Sequence, residues 1–459
     1  MKIFTKNKII LSAILLFTTV TAQTANDAIH ILGKEISFGA RALAMGGAYS
    51  GLADDYTAIY WNPAGLAYLK NPEFSAELSH FSQRNQALFT GITTDDNQAY
   101  TRLRSFGIAW PLPTYSGSAV LAIGYNRIAD YDDNLAFSGF SEISNGIGFD
   151  ITTADDQTAN YLFDENIYQQ ERVFSDGGLG QWSLGGAMAF SPALMGGATI
   201  SVISGREKYN QHYYQEDNDN TYAAYPADFH SYEINRYLKT TVSGLELKLG
   251  GSLRLGRLLR IGGAAGLPVR FAVKEVYFED DLLIFDDGYE DPTENTGKWE
   301  YAIRAPFYFD GGVAFTSRYL TLAASARYRD WSQTEFVVQD DQLQQEDYRD
   351  YISENYELRG NYRATTEYHL GGELRLPIVN TALRGGYARY PEKSTVVVNP
   401  RNKEVYTLGV SLQLDRNLRI DVTGLSGNWS RDSRDSLTPA GTSENITVSN
   451  LLVGLAYTF

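Results

Sequence analysis

Apolar and polar residues alternate at period two over unusually long segments, and this constrains the chain more than any other feature. Leu245, Leu247, Leu249, Leu253 and Leu255 give one aliphatic face, with Glu246, Lys248, Gly250, Ser252 and Arg254 between them. Tyr406, Leu408, Val410, Leu412 and Leu414 repeat the pattern against Thr407, Gly409, Ser411 and Gln413. So do Leu418, Ile420 and Val422 against Arg419, Asp421 and Thr423. Each such segment is a strand with two different faces.

Alternation alone fits a soluble sandwich as well as a membrane barrel. Strand length and loop sorting separate the two. About fourteen segments from residue 71 to the end read as strands, many well beyond the ~5–6 residues usual in soluble sheets. Short connections fall near 113–116, 193–196, 257, 318, 379 and 416. Long polar ones fall at 82–100, 132–178, 216–233, 280–297, 339–355, 392–402 and 431–444. Strict alternation of short and long connections is the habit of outer-membrane barrels. The expected fold is therefore all-β, a transmembrane antiparallel barrel of about 14 strands spanning residues 70–459, with both termini periplasmic. Such a barrel must close, because an open strand edge in lipid leaves backbone groups unsatisfied. The last strand, with Leu451, Val453, Leu455, Tyr457 and terminal Phe459 on one face, suits a closing strand.

The N-terminus supplies the route to that membrane. Lys2, Lys6 and Lys8 precede an apolar run over residues 9–20, and Val20, Thr21 and Ala22 give a small-residue cleavage pattern. Residues 1–22 thus read as a secretory signal peptide. Its removal takes three lysines and no acids, shifting the charge from −16 to −19. So acidic a chain is unsuited to sequence-independent nucleic-acid binding, which needs a basic surface. With no cysteine, thiol catalysis, thiolate metal sites and disulfides are excluded. The histidines form no zinc pattern, and neither a nucleophile elbow nor a phosphate loop occurs, so no enzyme activity and no cofactor are expected.

Residues 23–69 do not alternate. They are crowded with small residues, and Asp54 or Asp55 is placed to cap a short helix that Asn62-Pro63 would end. A compact plug inside the barrel and a periplasmic tail both fit that composition. Gly39-Ala-Arg-Ala-Leu-Ala-Met-Gly-Gly-Ala-Tyr49, then Ala53-Asp-Asp55, then Tyr60-Trp-Asn-Pro-Ala-Gly-Leu-Ala67 resembles the hatch signature of the FadL family. Those are outer-membrane transporters of long-chain fatty acids and other hydrophobic compounds. The resemblance implies a hatch carried by Gly46, Gly47, Asp54, Asp55, Asn62, Pro63 and Ala64. It further implies passive transport: ligand gathers among external loops, enters a lumen pocket and leaves sideways through the wall beside a kinked third strand.

Ala119, Leu121, Ile123 and Tyr125 form an apolar face, but Arg127 takes the next place and Ile128 falls on the other side. A phase slip of this kind marks a bulge, so Gly124, Tyr125, Asn126 and Arg127 are the candidate lateral gate; a plain rim bulge is the alternative. Pro306 interrupts a second strand, where a packed bulge is favoured over a gate. A ligand carboxylate needs a lumen cation. Lys248, Arg254, Arg304, Arg327 and Arg375 have the right parity, and Lys248 and Arg327, mid-strand, are the candidate contacts, against a structural role for each. The acidic runs at 130–133 and 217–220 fit solvated loops better than divalent-ion sites.

The expected protein is a monomeric outer-membrane barrel of a Gram-negative bacterium. Its expected partners are a hydrophobic small-molecule ligand, membrane lipid and lipopolysaccharide. The alternative, from relatives with the same glycine-rich and Trp-Asn-Pro-Ala-Gly elements, is a non-transporting barrel serving a protein secretion system.

Overall fold

The structure is a computed structural model that describes residues 24–33, 38–152, 158–163, 166–224, 228–339, 346–397 and 402–459. The expected signal peptide, residues 1–22, lies outside the described residues. Fourteen strands, all antiparallel to their neighbours in chain order, close into a barrel. They are β1 (Glu73–Phe89), β2 (Ile92–Leu112), β3 (Ala119–Asp130, resuming as Asp133–Ser141), β4 (Ile167–Ala189) and β5 (Leu194–Glu216). Then come β6 (Phe229–Leu255), β7 (Leu259–Gly266 and Arg270–Phe285), β8 (Glu290–Arg304 and Tyr308–Thr316) and β9 (Leu320–Asp330, with Glu335–Phe336). Last are β10 (Ala364–Leu376), β11 (Thr381–Tyr390), β12 (Lys403–Gln413), β13 (Leu418–Ser433) and β14 (Thr442–Thr458). The seam joins β14 to β1, from Glu73 opposite Thr458 to Leu88 opposite Ser443, and the amide of Phe459 donates to the carbonyl of Pro72.

The alternating faces sort as expected for lipid outside and a polar lumen. Leu121, Ile123, Leu184, Leu245, Leu249, Leu322, Leu408 and Leu455 are exposed on the outer wall. They lie in the half of the barrel next to the short turns. Beyond that band the strands continue as wet hairpins, and here the structure corrects the expected loops. Residues 82–100 are strand, joined by a two-residue turn at Thr90 and Gly91, both at positive φ (44° and 91°), as a primed hairpin turn demands. Most of 280–297 is strand too, whereas 431–444 is strand only at its two ends, 431–433 and 442–444. Both faces are polar above the membrane, so no hydrophobic period marks them. The expected connection at 339–355 is corrected by a helix over Glu346–Asn361, so the strand that follows begins only at Ala364.

Inside the barrel lie α1 (Ala25–Leu32), α2 (Ala40–Ala44), α3 (Ala58–Trp61) and a 3₁₀ turn, Pro63–Tyr68. A Thr24/Asp27 capping box starts α1, whose Ala28, Ile29, Ile31 and Leu32 are buried. At the far end, a small hairpin (Gly148–Thr152 with Thr158–Leu162) folds over the mouth, and the rings of Phe163 and Phe229 stack at 4.3 Å beside Phe149 and Phe285.

Among the described residues the wall departs from regular pairing at several places, two of which fall at Pro306 and at the 124–127 candidates. Both β7 and β8 break at the same level, at 267–269 and 305–307, where Pro268 and Pro306 fall. Val269, Phe271 and Ile303 bury themselves across that break, so Pro306 sits in a packed kink. The other departure is at β3.

Candidate functional site

The hatch is tied to the wall by carboxylates from below. On β1, Glu77 accepts from the amides of Gly39 (2.8 Å) and Ala40 (2.5 Å), and Glu73 accepts from the amide of Tyr56 (2.7 Å). Arg41 reaches Asp54 (2.5 Å), Tyr49 (3.0 Å) and Glu373 of β10 (3.4 Å); Asp54 also meets Arg260 of β7 at 3.0 Å. Asp55 accepts from Tyr49 Oη (2.6 Å) and from the Thr57 amide (3.0 Å) and hydroxyl (2.5 Å), stapling the turn before α3. Asn62 donates through Nδ2 to the carbonyls of Ser50 (2.8 Å) and Gly251 (3.0 Å), and its Oδ1 accepts from the Ala64 amide (3.2 Å). It thereby ends α3 and caps the 3₁₀ turn, with Pro63 at the first position where no donor is needed.

Small residues let hatch backbone touch wall backbone. Gly46 and Gly47 have positive φ (63° and 76°), and a Cβ on Gly46 would meet the Tyr387 amide nitrogen at 2.6 Å. Wall glycines reciprocate: a Cβ on Gly250 would fall 2.3 Å from Asn62 Oδ1, and one on Gly197 2.6 Å from the Pro63 carbonyl carbon. At these points the backbones of the N-terminal segment and the wall pack directly against each other, with no room for a side chain between them.

Lys248 and Arg327, the sequence-derived carboxylate contacts, are drawn together around one residue that sequence reasoning passed over. Asp310 of β8 sits 3.0 Å from Lys248 Nζ and takes Arg327 through Nε (2.6 Å) and Nη2 (3.1 Å). Lys248 also donates to the Tyr60 carbonyl at 2.5 Å. Both cations are buried and committed to holding the hatch, which places them in its foundations and not in an open pocket. Of the other parity candidates, Arg375 pairs with Glu373 (2.7 Å), Arg254 lies over the Tyr68 ring, and Arg304 turns outward to Glu335. Two residues along β9 from Arg327, Arg329 is a further buried cation facing the lumen. Its guanidinium lies 4.8 Å from the ring centroids of both Tyr308 and Trp331, donates to the Leu32 carbonyl at 3.4 Å, and has no ion pair among the described residues. Period two from Arg327 was the signal that could have found it.

The gate candidates lie where the wall changes. From Leu112 opposite Ala119, β2 and β3 pair up to Ser105 opposite Asn126, and there their pairing ends. Gly124, Tyr125 and Asn126 are the last paired turn of that ladder; Arg127 is the first residue past it. Beyond, β3 parts from β2 only: its second half stays paired with β4, from Asp133 opposite Ser175 to Ser141 opposite Ile167, and passes lumen-facing side chains of β1. Asn85 donates to the Asn134 carbonyl (2.6 Å), and the rings of Phe89 and Phe137 meet at 4.5 Å. From inside, the hydroxyl of hatch residue Tyr56 reaches Asn126 Oδ1 (3.2 Å) and the Phe106 carbonyl (3.3 Å). Gly124 makes room for it, since a Cβ there would sit 1.9 Å from that hydroxyl. On the outer face, Phe106, Tyr125 and Trp182 form one aromatic cluster with centroids 5.6–5.9 Å apart. Barrel, hatch and interrupted third strand now stand together. The fold is that of FadL.

Solved structures bear this out at low identity. The chain matches the P. putida toluene transporter TodX with a TM-score of 0.58 and 14% identity, covering 92% of this chain and 99% of that one. For the Ralstonia pickettii toluene transporter TbuX the values are 0.53, 15%, 92% and 98%. For a Pseudomonas aeruginosa FadL homologue they are 0.55, 12%, 93% and 99%. No family model and no curated protein sequence matches the chain.

The acidic runs have local work. Asp217 accepts from the Thr221 and Tyr222 amides (2.8 and 2.6 Å), and Asp133 pairs with Arg431 at 2.6 Å. At the mouth, beyond the membrane band, Gln211 donates to both Glu171 and Asp435 (2.8 Å each), and burial together with Asp435 pushes Glu171 up to about 8. A cavity of about 1060 Å³ opens beside it, lined by Tyr390, Lys403, Trp429, Arg431 and Arg434 among others.

Proposed function

We propose that this protein is a passive outer-membrane channel for hydrophobic small molecules, with long-chain fatty acids as the default substrate and aromatic hydrocarbons as the other class. The observation that carries the reading is the pairing of β2 with β3, which ends at Asn126 while the N-terminal segment packs against the wall from within. On this reading a molecule admitted at the mouth leaves sideways. The mouth cavity is the collecting point, and the long hairpins face the outside of the cell. Residues 23–69 serve as the hatch, with the Gly46, Gly47, Asp54, Asp55, Asn62, Pro63 and Ala64 set holding it. Residues 124–127 form the lower sill of the exit. Arg329, between its two rings, is the lumen group that a ligand carboxylate would meet. TodX and TbuX are toluene transporters and support the class of cargo, not its identity.

The test is uptake of labelled oleate and of labelled toluene by cells with and without the protein, alongside a deletion of residues 124–127. Uptake should require the intact protein. Equal uptake in all three strains would refute transport and favour a secretion adaptor of the same fold.

A further inference from the structure

Two bulges flank the point where β2 and β3 part. In the β1–β2 ladder Glu77 faces Ser105 and Leu78 faces Leu103, so Arg104 is the extra residue. In the β3–β4 ladder Arg127 faces Gly180 and Ala129 faces Leu179, so Ile128 is the extra one. Both extra residues are buried, Arg104 at 3% exposure and Ile128 at 0%. A bulge bends its strand and re-aims a side chain. Here the two together swing the strands apart and turn Arg104 toward the corner of β3.

Across the unpaired boundary, side chains replace the missing ladder. Arg104 Nη1 meets Asp130 Oδ2 at 2.7 Å, and Arg102 grips Asp132 with both terminal nitrogens, one of them at 2.9 Å. From the corner itself Arg127 also pairs with Asp130. Two arginines of β2 thus face two aspartates of the 130–132 corner, at the height where Leu78 and Leu103 still present apolar side chains outward. Backbone ladders and apolar packing would close such a gap for good. Partly buried ion pairs bring a large desolvation cost against their attraction, so they fix geometry while adding little net stability. That is the energetic profile of a contact meant to open.

We propose that Arg102 and Arg104 on β2, with Asp130 and Asp132 on the β3 corner, form an ionic latch that holds the lateral exit shut. The inference deepens the sideways-exit reading and rests on it. The corner also carries Tyr131, whose hydroxyl donates to the Ile31 carbonyl of α1 at 2.9 Å and whose ring lies 5.1 Å from His30. Release of the latch therefore frees the end of the lumen helix in the same movement, coupling pocket and exit.

Two measurements decide it, both on the full mature chain. In nanodiscs, the Asp130→Asn/Asp132→Asn double variant keeps shape and loses charge. Amide exchange over residues 127–132 should rise at least about tenfold relative to wild type, while Asp95→Asn, which breaks a surface pair with Arg84, leaves it unchanged. Because the chain has no cysteine, an Arg104→Cys/Asp130→Cys variant can be bridged selectively in cells by a short bis-methanethiosulfonate. Bridging should cut oleate and toluene uptake at least about tenfold, and reduction should restore it. An exchange rate no higher than that of Asp95→Asn, or bridged protein that transports as well as reduced protein, overturns the latch. Exchange that responds in a protein showing no uptake at all would remove the transport reading and leave the latch standing.

Discussion

Replacing Asp310 by Asn should loosen the hatch without opening the barrel. The carboxylate lies 3.0 Å from Lys248 and 2.6 Å from Arg327, and all three side chains are less than a tenth exposed. At an effective dielectric of ~20, each attraction at about 3 Å is worth about 5–6 kcal/mol before desolvation. Part of that loss is offset, because the carboxylate no longer has to be stripped of water. The remainder is the usual cost of orphaning buried partners, about 3–5 kcal/mol. Lys248 and Arg327 then face each other beneath Tyr60 with no anion between them. The cost falls on local opening, so amides of α2, α3 and the 3₁₀ turn should exchange faster by about two to four powers of ten, at ~1.4 kcal/mol per decade. Mass-spectrometric exchange on refolded protein in micelles measures this directly. Adding Lys248→Met removes one stranded cation and should recover about 1–2 kcal/mol. If Asp310→Asn shifts hatch exchange by less than about threefold, or if the second change adds to the damage, the three residues are not a foundation and the reasoning is wrong.

Further outcomes follow from other contacts. Gly250→Ala and Gly197→Ala drive a methyl into the hatch and should each destabilise by about 1–3 kcal/mol, whereas Gly251→Ala and Gly311→Ala, whose Cβ positions meet nothing within 4 Å, should be nearly neutral in heat-modifiability gels. Glu171 has its pKa raised to about 8, so its folded form favours the proton. The stability this gives is full below the ordinary carboxylate range and is lost as pH climbs through 8. Protease cleavage of the mouth should therefore increase between pH 6 and 9, and Glu171→Gln should abolish that increase. Intact mass of the exported protein should begin at Gln23; retention of residues 1–22 would refute the signal-peptide reading.

What the sequence made legible depended on where water was. Leu245 to Leu255 alternate because one face meets lipid and the other the lumen, so the strand could be read directly. Residues 82–100 carry the same backbone with Ser, Gln, Asn and Asp on both sides, and nothing marked them as strand. The helix over Glu346–Asn361 is polar nearly throughout and was hidden for the same reason. The small residues of 23–69 by themselves fitted a plug or a tail equally, and it was the resemblance of residues 39–67 to a hatch signature that implied the plug. Lys248 and Arg327 were found as lumen cations, yet their partner was not. Asp310 reaches them only through the register of β8 against β9 and the curvature that brings β6 near, and neither is written in local spacing. Arg104 escaped notice because its inward turn comes from a bulge opposite Glu77.

The seam between β14 and β1 has a consequence for assembly. The hatch is translated first and the closing strand last, and the finished ring leaves no space through which α2, α3 and the 3₁₀ turn could be threaded afterwards. The chain must wrap around its own N-terminal segment, so the plug is imprisoned by the final pairing, and Glu73, Glu77 and the other wall contacts act as the template on which the cylinder is rolled. A barrel cut free of its last strand should then yield up its plug, and one closed too early should never acquire it.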